Sequence, residues 1–220
     1  MRENQNEREI GLFCGTFNPV HVGHLLIAEC ARDQFALEKV IFVTSPCPPH
    51  RRDALLDGWA RHEMVEAAIK SNTAFEASDL ELRRDGPSYT INTVEEIDTI
   101  YSGKARINLI LGGDNLHQLR DWHRVDELLS RCRILIVPRL RYVYEKDEPL
   151  IRVGVEPVSI ADEFPQAVIE SVDFPGIAIS GSNIRERISQ GKTVLYMVPP
   201  SVNDLIKKKG YFQVAEITDD

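Results

Sequence analysis

The sequence predicts an α/β fold in which a doubly wound, mainly parallel sheet carries helices on both faces. Short apolar runs alternate with stretches of helix-forming residues, as in strand–helix–strand units with right-handed crossovers. Most of the runs are continuously apolar, which is expected for central strands covered on both sides. The predicted strands are Ile10–Cys14, Val40–Val43, Ile107–Leu111, Ile134–Val137 and Ile177–Ile179. The predicted helices are Leu25–Phe35, Trp59–Ser71, Tyr89–Tyr101 and Val125–Ser130, and a small C-terminal helical segment is expected at Val202–Lys209.

Length and composition fit one domain that spans residues 1–220. The chain is 43% hydrophobic and 27% charged, which supplies enough apolar material for a core and an ordinary charge content. The stretch Arg141–Asp173 is rich in charge and proline, so we expect loop there with at most one short strand.

Charge, hydropathy and cysteine usage exclude several classes of function. The net charge of −8 argues against a nucleic-acid partner. No apolar run approaches membrane-spanning length and the first residues do not resemble a signal peptide, so no membrane partner is expected. The cysteines Cys14, Cys30, Cys47 and Cys132 are far apart and predict neither a disulfide nor a zinc site. We therefore expect a cytoplasmic protein, with self-association as a homo-oligomer left open.

The first apolar run leads into the most informative stretch of the chain. A turn containing Gly15 and Pro19 follows the predicted strand, and a helix begins near Val22, so His21 and His24 lie where a strand end meets a helix start. Unpaired backbone N–H groups and the positive end of the helix dipole favour an anion there. Two histidines that merely cap the helix are the alternative; the accompanying glycines favour a phosphate site.

A second helix start has a similar character. The segment Ser180–Ser182 follows an apolar run and precedes a helix, so it offers hydroxyl groups and free N–H donors to an anion. We expect Arg185 in the first turn of this helix, where a cation opposes the helix dipole and therefore needs a separate reason. A bound triphosphate would supply one.

The segment Gly86–Thr90 combines a turn with another helix start. Ser88 or Thr90 can cap the helix, which is the simplest interpretation. The free N–H donors at Tyr89 and Thr90 are also suited to a carboxylate.

Further candidates follow predicted strand ends, where ligands bind in folds of this class. Gly112 and Asp114 follow one strand and fit contacts to a ribose, while Arg139 follows the next. Trp122 is equally compatible with stacking on a ligand ring and with partial burial in the core. The basic segment His50–Arg52 can meet an acidic substrate or lie in solvent.

Taken in order, these motifs resemble a known family. The pattern Gly15-x-Phe17-x-Pro19-x-His21-x-Gly23-His24 resembles the signature of the nucleotidylyltransferases, which have a Rossmann-like fold. Together with Gly86–Thr90, Gly112–Asn115 and Trp122, it is similar to the nicotinate-mononucleotide adenylyltransferases of NAD biosynthesis. This resemblance extends along nearly the whole chain.

The resemblance implies that AMP passes from ATP to nicotinate mononucleotide. The sequence contains no carboxylate cluster with the spacing of metal ligands, so we expect Mg²⁺ to arrive with ATP and no metal ligands from the protein. It implies catalytic roles for His21, His24 and Arg185. The implied ATP-binding residues are Gly15, Thr16, Phe17, His21, Gly23, His24, Gly112, Asp114, Ser180, Ser182 and Arg185. The implied substrate-binding residues are Asn18, Arg51, Tyr89, Thr90, Asp114, Trp122 and Arg139.

The chain departs from the usual family pattern at four positions. Cys14 replaces a glycine, Asn18 an aspartate, Arg51 a lysine and Gly181 a serine. The alternatives are a preference for nicotinamide mononucleotide or another phosphate acceptor, and a nucleotide sensor without turnover.

Overall fold

Six parallel strands form the centre of the molecule. In the computed structural model, residues 8–46, 55–138 and 164–213 are described. The strands are β1 (Arg8–Gly15), β2 (Lys39–Thr44), β3 (Phe75–Ser78), β4 (Ala105–Gly112), β5 (Cys132–Val137) and β6 (Ile169–Ser171). The sheet has the order β3-β2-β1-β4-β5-β6, and every neighbouring pair is parallel. The direction of winding reverses between β1 and β4, and ligands of such sheets bind outside the carboxyl ends of the strands at that point.

Helices cover both faces of the sheet. They are α1 (Val22–Gln34), α2 (Gly58–Ile69), α3 (Leu80–Arg83), α4 (Thr90–Ile100), α5 (Val125–Arg131), α6 (Gly181–Ser189) and α7 (Pro200–Lys209), with a 3₁₀ helix at Gly113–Asp121. The predicted C-terminal helix is thus present, and its last turn carries three lysines that suit the negative end of the helix dipole.

The core lies in two layers, one on each face of the sheet. Phe13 and Phe42 point into the layer beneath α1, α2 and α7, together with Met64 and Val202. Leu12 and Ile41, their neighbours along the strands, belong to the layer beneath α4 and α5. This alternation explains the continuous apolar runs, because consecutive residues of a strand face opposite sides.

The predicted doubly wound parallel sheet is confirmed, but one predicted strand is wrong and one strand was missed. Ile177–Ile179 forms no strand: these residues lie in irregular chain after Gly176, whose φ is +80°, and Ile177 is 38% exposed. The sixth strand is Ile169–Ser171, which agrees with the single short strand allowed in the preceding stretch. Phe75–Ser78 is an edge strand of four residues containing Glu76 and Ser78, so it lacks an apolar run.

Within the described segments, no helix is long and apolar enough to cross a membrane. The single-domain organisation over residues 1–220 stays a prediction.

Candidate functional site

The loop from β1 to α1 is built around a strained residue and a pair of histidines. Phe17 adopts a left-handed backbone conformation, with φ of +44°, which is uncommon for a bulky residue and typical of functional sites. Its ring is buried and packs against the His24 ring at 5.1 Å between centroids. The Phe17 side chain therefore packs against the His24 ring. Because that side chain is buried, a ligand could contact only the main chain of Phe17.

His21 and His24 lie side by side at the start of α1. His21 is the residue that precedes the helix, and the two imidazole rings stack with centroids 3.7 Å apart. The backbone N–H of His21 donates to Nδ1 of His24 at 3.2 Å. Because an accepting nitrogen carries no proton, the neutral His24 ring holds its proton on Nε2. His24 is thus preset as a hydrogen-bond donor through Nε2.

Gly23 makes this stacking possible. A Cβ at this position would lie 3.0 Å from Nδ1 of His21 and 3.2 Å from Cγ2 of Ile177. A side chain here would require the His21 ring and Ile177 to shift by a few tenths of an ångström. The glycine between the two histidines therefore favours the close packing of the His21 ring.

The start of α6 lies against the same loop. Ser180 caps the helix, with its Oγ accepting from Asn183 N at 3.2 Å. Arg185 donates to the main-chain oxygen of Asn18 at 2.7 Å and to Ser182 Oγ at 3.3 Å. Arg185 is the fifth residue of α6, so the prediction that it lies in the first turn is wrong. The hydrogen bond from Arg185 to Asn18 O joins α6 to the β1–α1 loop, which gives this cation a structural role.

Gly181 explains why this chain lacks the serine that is usual there. A Cβ on Gly181 would lie only 2.7 Å from the main-chain oxygen of Asn18. The contact between α6 and the β1–α1 loop is therefore too close for a larger residue.

These elements together form an anion site at the expected edge of the sheet. The starts of α1 and α6 both point their positive ends at one loop, and imidazole and guanidinium groups border it. Thr16 is half-buried in the loop, and Asn18 is buried, with its Oδ1 accepting from Leu56 N at 3.3 Å. Gly15 ends β1 and Gly112 ends β4, so they lie at the two strand ends that flank the winding reversal.

A second cluster surrounds the start of α4. Tyr89 precedes this helix, and within the described part of the chain no side chain caps it, so the expected capping by Ser88 or Thr90 is wrong. Ser88 instead accepts a hydrogen bond from Arg84 at 2.6 Å, because the Arg84 guanidinium lies between the turn and α4. Arg84 also donates to Glu96 and Thr93. The helix start at Thr90 therefore keeps its N–H donors for another group.

Trp122 and His123 lie beside this helix start. Trp122 is half-buried and packs against the core layer beneath α4 and α5. The ring that contacts Tyr89 is that of His123, 4.2 Å away between centroids. Trp122 is therefore partly buried in the core, and enough of its side chain stays exposed to be compatible with stacking on a ligand ring.

Sequence reasoning missed three side chains at this edge of the sheet: Arg61, Arg84 and His123. The helical spacing of Arg61, Met64 and Ala68 predicts only amphipathic packing, whereas the structure buries Arg61 completely, which is unusual for a cation. Of the other predicted residues, Arg51 and Arg139 lie outside the described residues. Asp114 lies in the 3₁₀ helix, where only its backbone is described.

Cys14 lies at the end of β1, partly buried against the second core layer. Burial, reinforced by the nearby Glu81 carboxylate, raises the pKa of the Cys14 thiol well above its usual range. The thiol therefore stays neutral and acts as a small apolar side chain.

Among the described residues, no group of three or more His, Cys, Asp or Glu side chains is arranged to hold a metal ion. The donors at the site are imidazole, guanidinium and backbone N–H groups, which fit phosphate oxygens rather than a hard cation.

Three comparisons relate the sequence and the fold of this chain to known proteins. A family model described as cytidylyltransferase-like matches residues 12–187. A protein of Caldicellulosiruptor bescii named probable nicotinate-nucleotide adenylyltransferase is 38% identical over 93% of this chain and 99% of its own length. A Desulfitobacterium hafniense protein of the same name is 35% identical over 97% of this chain and 100% of its own. The fold matches that of the Plasmodium falciparum nicotinic acid mononucleotide adenylyltransferase complexed with NaAD, with a TM-score of 0.73, 16% identity, and coverage of 94% of this chain and 98% of that one.

Proposed function

The chain belongs to the cytidylyltransferase-like family and, within it, to the nicotinate-nucleotide adenylyltransferases, and on this premise we propose that it transfers AMP from ATP to nicotinate mononucleotide. The products are nicotinate adenine dinucleotide and pyrophosphate, and the reaction belongs to NAD biosynthesis. The observation that supports this most strongly is the convergence of two helix starts, a stacked histidine pair and Arg185 on one loop.

The reaction is a displacement at phosphorus. An oxygen of the acceptor phosphate bonds to the α-phosphorus of ATP, and the bond from that phosphorus to the bridging β-phosphate oxygen breaks. The electron pair leaves with pyrophosphate. Because a phosphate monoester is already ionised at neutral pH, the protein needs no general base. Its task is to align two anions and to stabilise the charge that develops on the leaving group.

The ATP-binding residues act through donors that are already in place. In this proposal the Nε2–H of His24 donates to an oxygen of the α- or β-phosphate. The backbone N–H and the stacked ring of His21 hold the His24 ring in that orientation, and the His21 ring itself borders the phosphates. Arg185 binds the β- and γ-phosphates from the start of α6. Such fixed donors act without reorganising during the reaction.

The acceptor lies at the other cluster. The uncapped start of α4 offers N–H donors at Tyr89 and Thr90 to the carboxylate of the nicotinate ring. Trp122 stacks on the pyridine ring with its exposed face. A carboxamide in place of the carboxylate would bring no negative charge to the helix start, so the acid is the preferred substrate.

Mg²⁺ would be carried by ATP rather than by side chains of the protein, and it would offset part of the triphosphate charge. A cytoplasmic location, expected from the scattered cysteines, and assembly into a homo-oligomer stay predictions.

Pyrophosphate release from ATP and Mg²⁺ tests the reaction. Four conditions suffice: nicotinate mononucleotide, nicotinamide mononucleotide, phosphopantetheine and no acceptor. Release with the first, together with a dinucleotide product of the expected mass, supports the proposal. Release only with phosphopantetheine would assign a different acceptor, and ATP binding without release in any condition would favour a sensor.

A further inference from the structure

Arg61 is a fully buried cation whose hydrogen bonds join three separate segments of the chain. It lies in the first turns of α2, and its side chain is 0% exposed. Its Nε donates to Leu56 O at 2.9 Å, its Nη2 donates to Ser45 O at 2.9 Å, and its Nη1 donates to Thr16 O. Removing a buried guanidinium would leave these carbonyl groups without their donor, so the side chain fixes the geometry of the junction.

The three carbonyl groups belong to the segments that border the anion site. Thr16 lies in the β1–α1 loop, Ser45 directly follows β2, and Leu56 leads into α2. The same junction is closed by two further bonds, from Ser45 N to Gly15 O at 2.9 Å and from Leu56 N to Asn18 Oδ1 at 3.3 Å. Arg61 is thus the centre of a network of hydrogen bonds that sets the position of the β1–α1 loop relative to the chain after β2.

Arg61 also affects the loop electrostatically. In a trans peptide the C=O and N–H bonds point in opposite directions, so the N–H of Phe17 points away from the guanidinium that binds Thr16 O. A charge-assisted bond on the carbonyl side polarises the peptide group and strengthens its N–H as a donor. A cation with no solvent exposure is weakly screened, so it also adds positive potential at a site for two anions in an acidic protein.

We propose that Arg61 is a positioning residue for the transfer reaction, which sets the β1–α1 loop through Thr16 O and aligns the bound triphosphate with the acceptor. The proposal rests on the proposed function, since it assigns the loop to ATP. It predicts an effect on turnover that exceeds the effect on ATP affinity, because the groups that bind phosphate directly remain in place.

The variant Arg61→Lys retains the charge but cannot span three carbonyl groups with one planar fork. We expect kcat for pyrophosphate release to fall about 10–100-fold, as for a small misplacement of reacting groups, while KM for ATP rises less than about threefold. The matched control is Met64→Ala, one turn further along α2, which is fully buried in the core and carries no hydrogen-bond donor for the three carbonyl groups. Both variants should lower Tm, but at a temperature where both are folded Met64→Ala should keep wild-type kcat.

An Arg61→Lys enzyme whose kcat matches that of Met64→Ala, or whose defect lies in KM for ATP alone, would overturn the proposal.

If Arg61→Lys does not fold, the side-chain Nε–H signals of wild-type enzyme labelled with ¹⁵N-arginine test the proposal instead. On saturation with α,β-methylene-ATP, the Arg61 signal should shift more than that of Arg32, which pairs with Glu29 and Asp33 on the surface of α1. Equal shifts would overturn it. This binding experiment needs no acceptor, so it distinguishes a failure of this inference from a failure of the proposed reaction.

Discussion

The two halves of the candidate site are held in place in different ways. The phosphate half is buried and densely connected: Asn18 is 6% exposed, His21 7% and Phe17 2%. The acceptor half lies at the surface, where Tyr89 is 41% exposed and the preceding turn is joined to α4 by the Arg84 side chain. The difference indicates that the fold fixes the groups proposed to bind ATP, whereas the proposed recognition of the acceptor depends on a few surface contacts.

This contrast suits the chemistry. Charge stabilisation during phosphoryl transfer requires donors that do not reorganise, and the histidine pair, the αL residue Phe17 and the bond from Arg185 to the loop provide that rigidity. Selection of an acceptor is a smaller energetic task, since one charge-assisted contact distinguishes an acid from an amide. Substitutions in the two halves should therefore differ in size and in the kinetic constant that they change.

The largest effect is expected in the phosphate half, from His24→Ala. Loss of one preorganised donor typically costs about 2.7–4 kcal/mol of barrier, so kcat should fall on the order of 10²–10³-fold. The control is His123→Ala in the acceptor half, because the His123 ring packs against Tyr89, so its loss should change KM for the acceptor rather than kcat. Steady-state pyrophosphate release measures both, and a His24→Ala enzyme with wild-type kcat would remove His24 from the mechanism.

A smaller effect is expected from Gly181→Ser, which restores the residue that is usual in the family. The new Cβ would lie 2.7 Å from Asn18 O, so α6 must move away from the loop and carry Arg185 with it. Overpacking of this kind costs about 1–3 kcal/mol, and we expect KM for ATP to rise roughly tenfold while KM for the acceptor stays the same. Ser189→Ala, in the last turn of α6, is the control, because its hydroxyl donates to Glu186 O of the same helix. An unchanged KM for ATP would show that the close contact is not needed for binding.

The smallest effect is expected in the acceptor half, from Arg84→Met. A hydrogen bond to a charged group is worth about 1.5–3 kcal/mol, and only part of that is used to hold the Ser88 turn against α4. We expect KM for nicotinate mononucleotide to rise about fivefold, with KM for ATP unchanged. Arg83→Met is the matched control, because the Arg83 side chain is 70% exposed and pairs with Asp79. Equal effects of the two substitutions would argue against a role for Arg84.

The fold was predictable wherever the strands lie in the middle of the sheet. Residues of β1, β2, β4 and β5 are buried on both faces, and their apolar runs record that burial. The edge strand β3 leaves Glu76 exposed and therefore lacks the signal. The strand predicted at Ile177–Ile179 was wrong because an apolar run does not always record burial in a sheet. These residues precede α6, and Ile177 packs against Gly23 of α1.

The predictable part of the site was its local motifs. His21 and His24 adjoin one helix start in sequence, so their meeting follows from helix geometry. The contribution of Arg61 depends on three segments that are far apart in the chain, and Ser88 was assigned to the helix rather than to Arg84 because a capping pattern cannot reveal a competing side chain. Long-range hydrogen bonds of this kind require the tertiary structure.

The most direct test of the account is the ratio of kcat/KM for nicotinate mononucleotide to that for nicotinamide mononucleotide, measured by pyrophosphate release with saturating ATP and Mg²⁺. We expect a preference for the acid of about 10–100-fold, the range of one charge-assisted hydrogen bond at the start of α4. Equal values for the two acceptors would contradict the carboxylate site at Tyr89 and Thr90, and release with neither acceptor would contradict the proposed reaction itself.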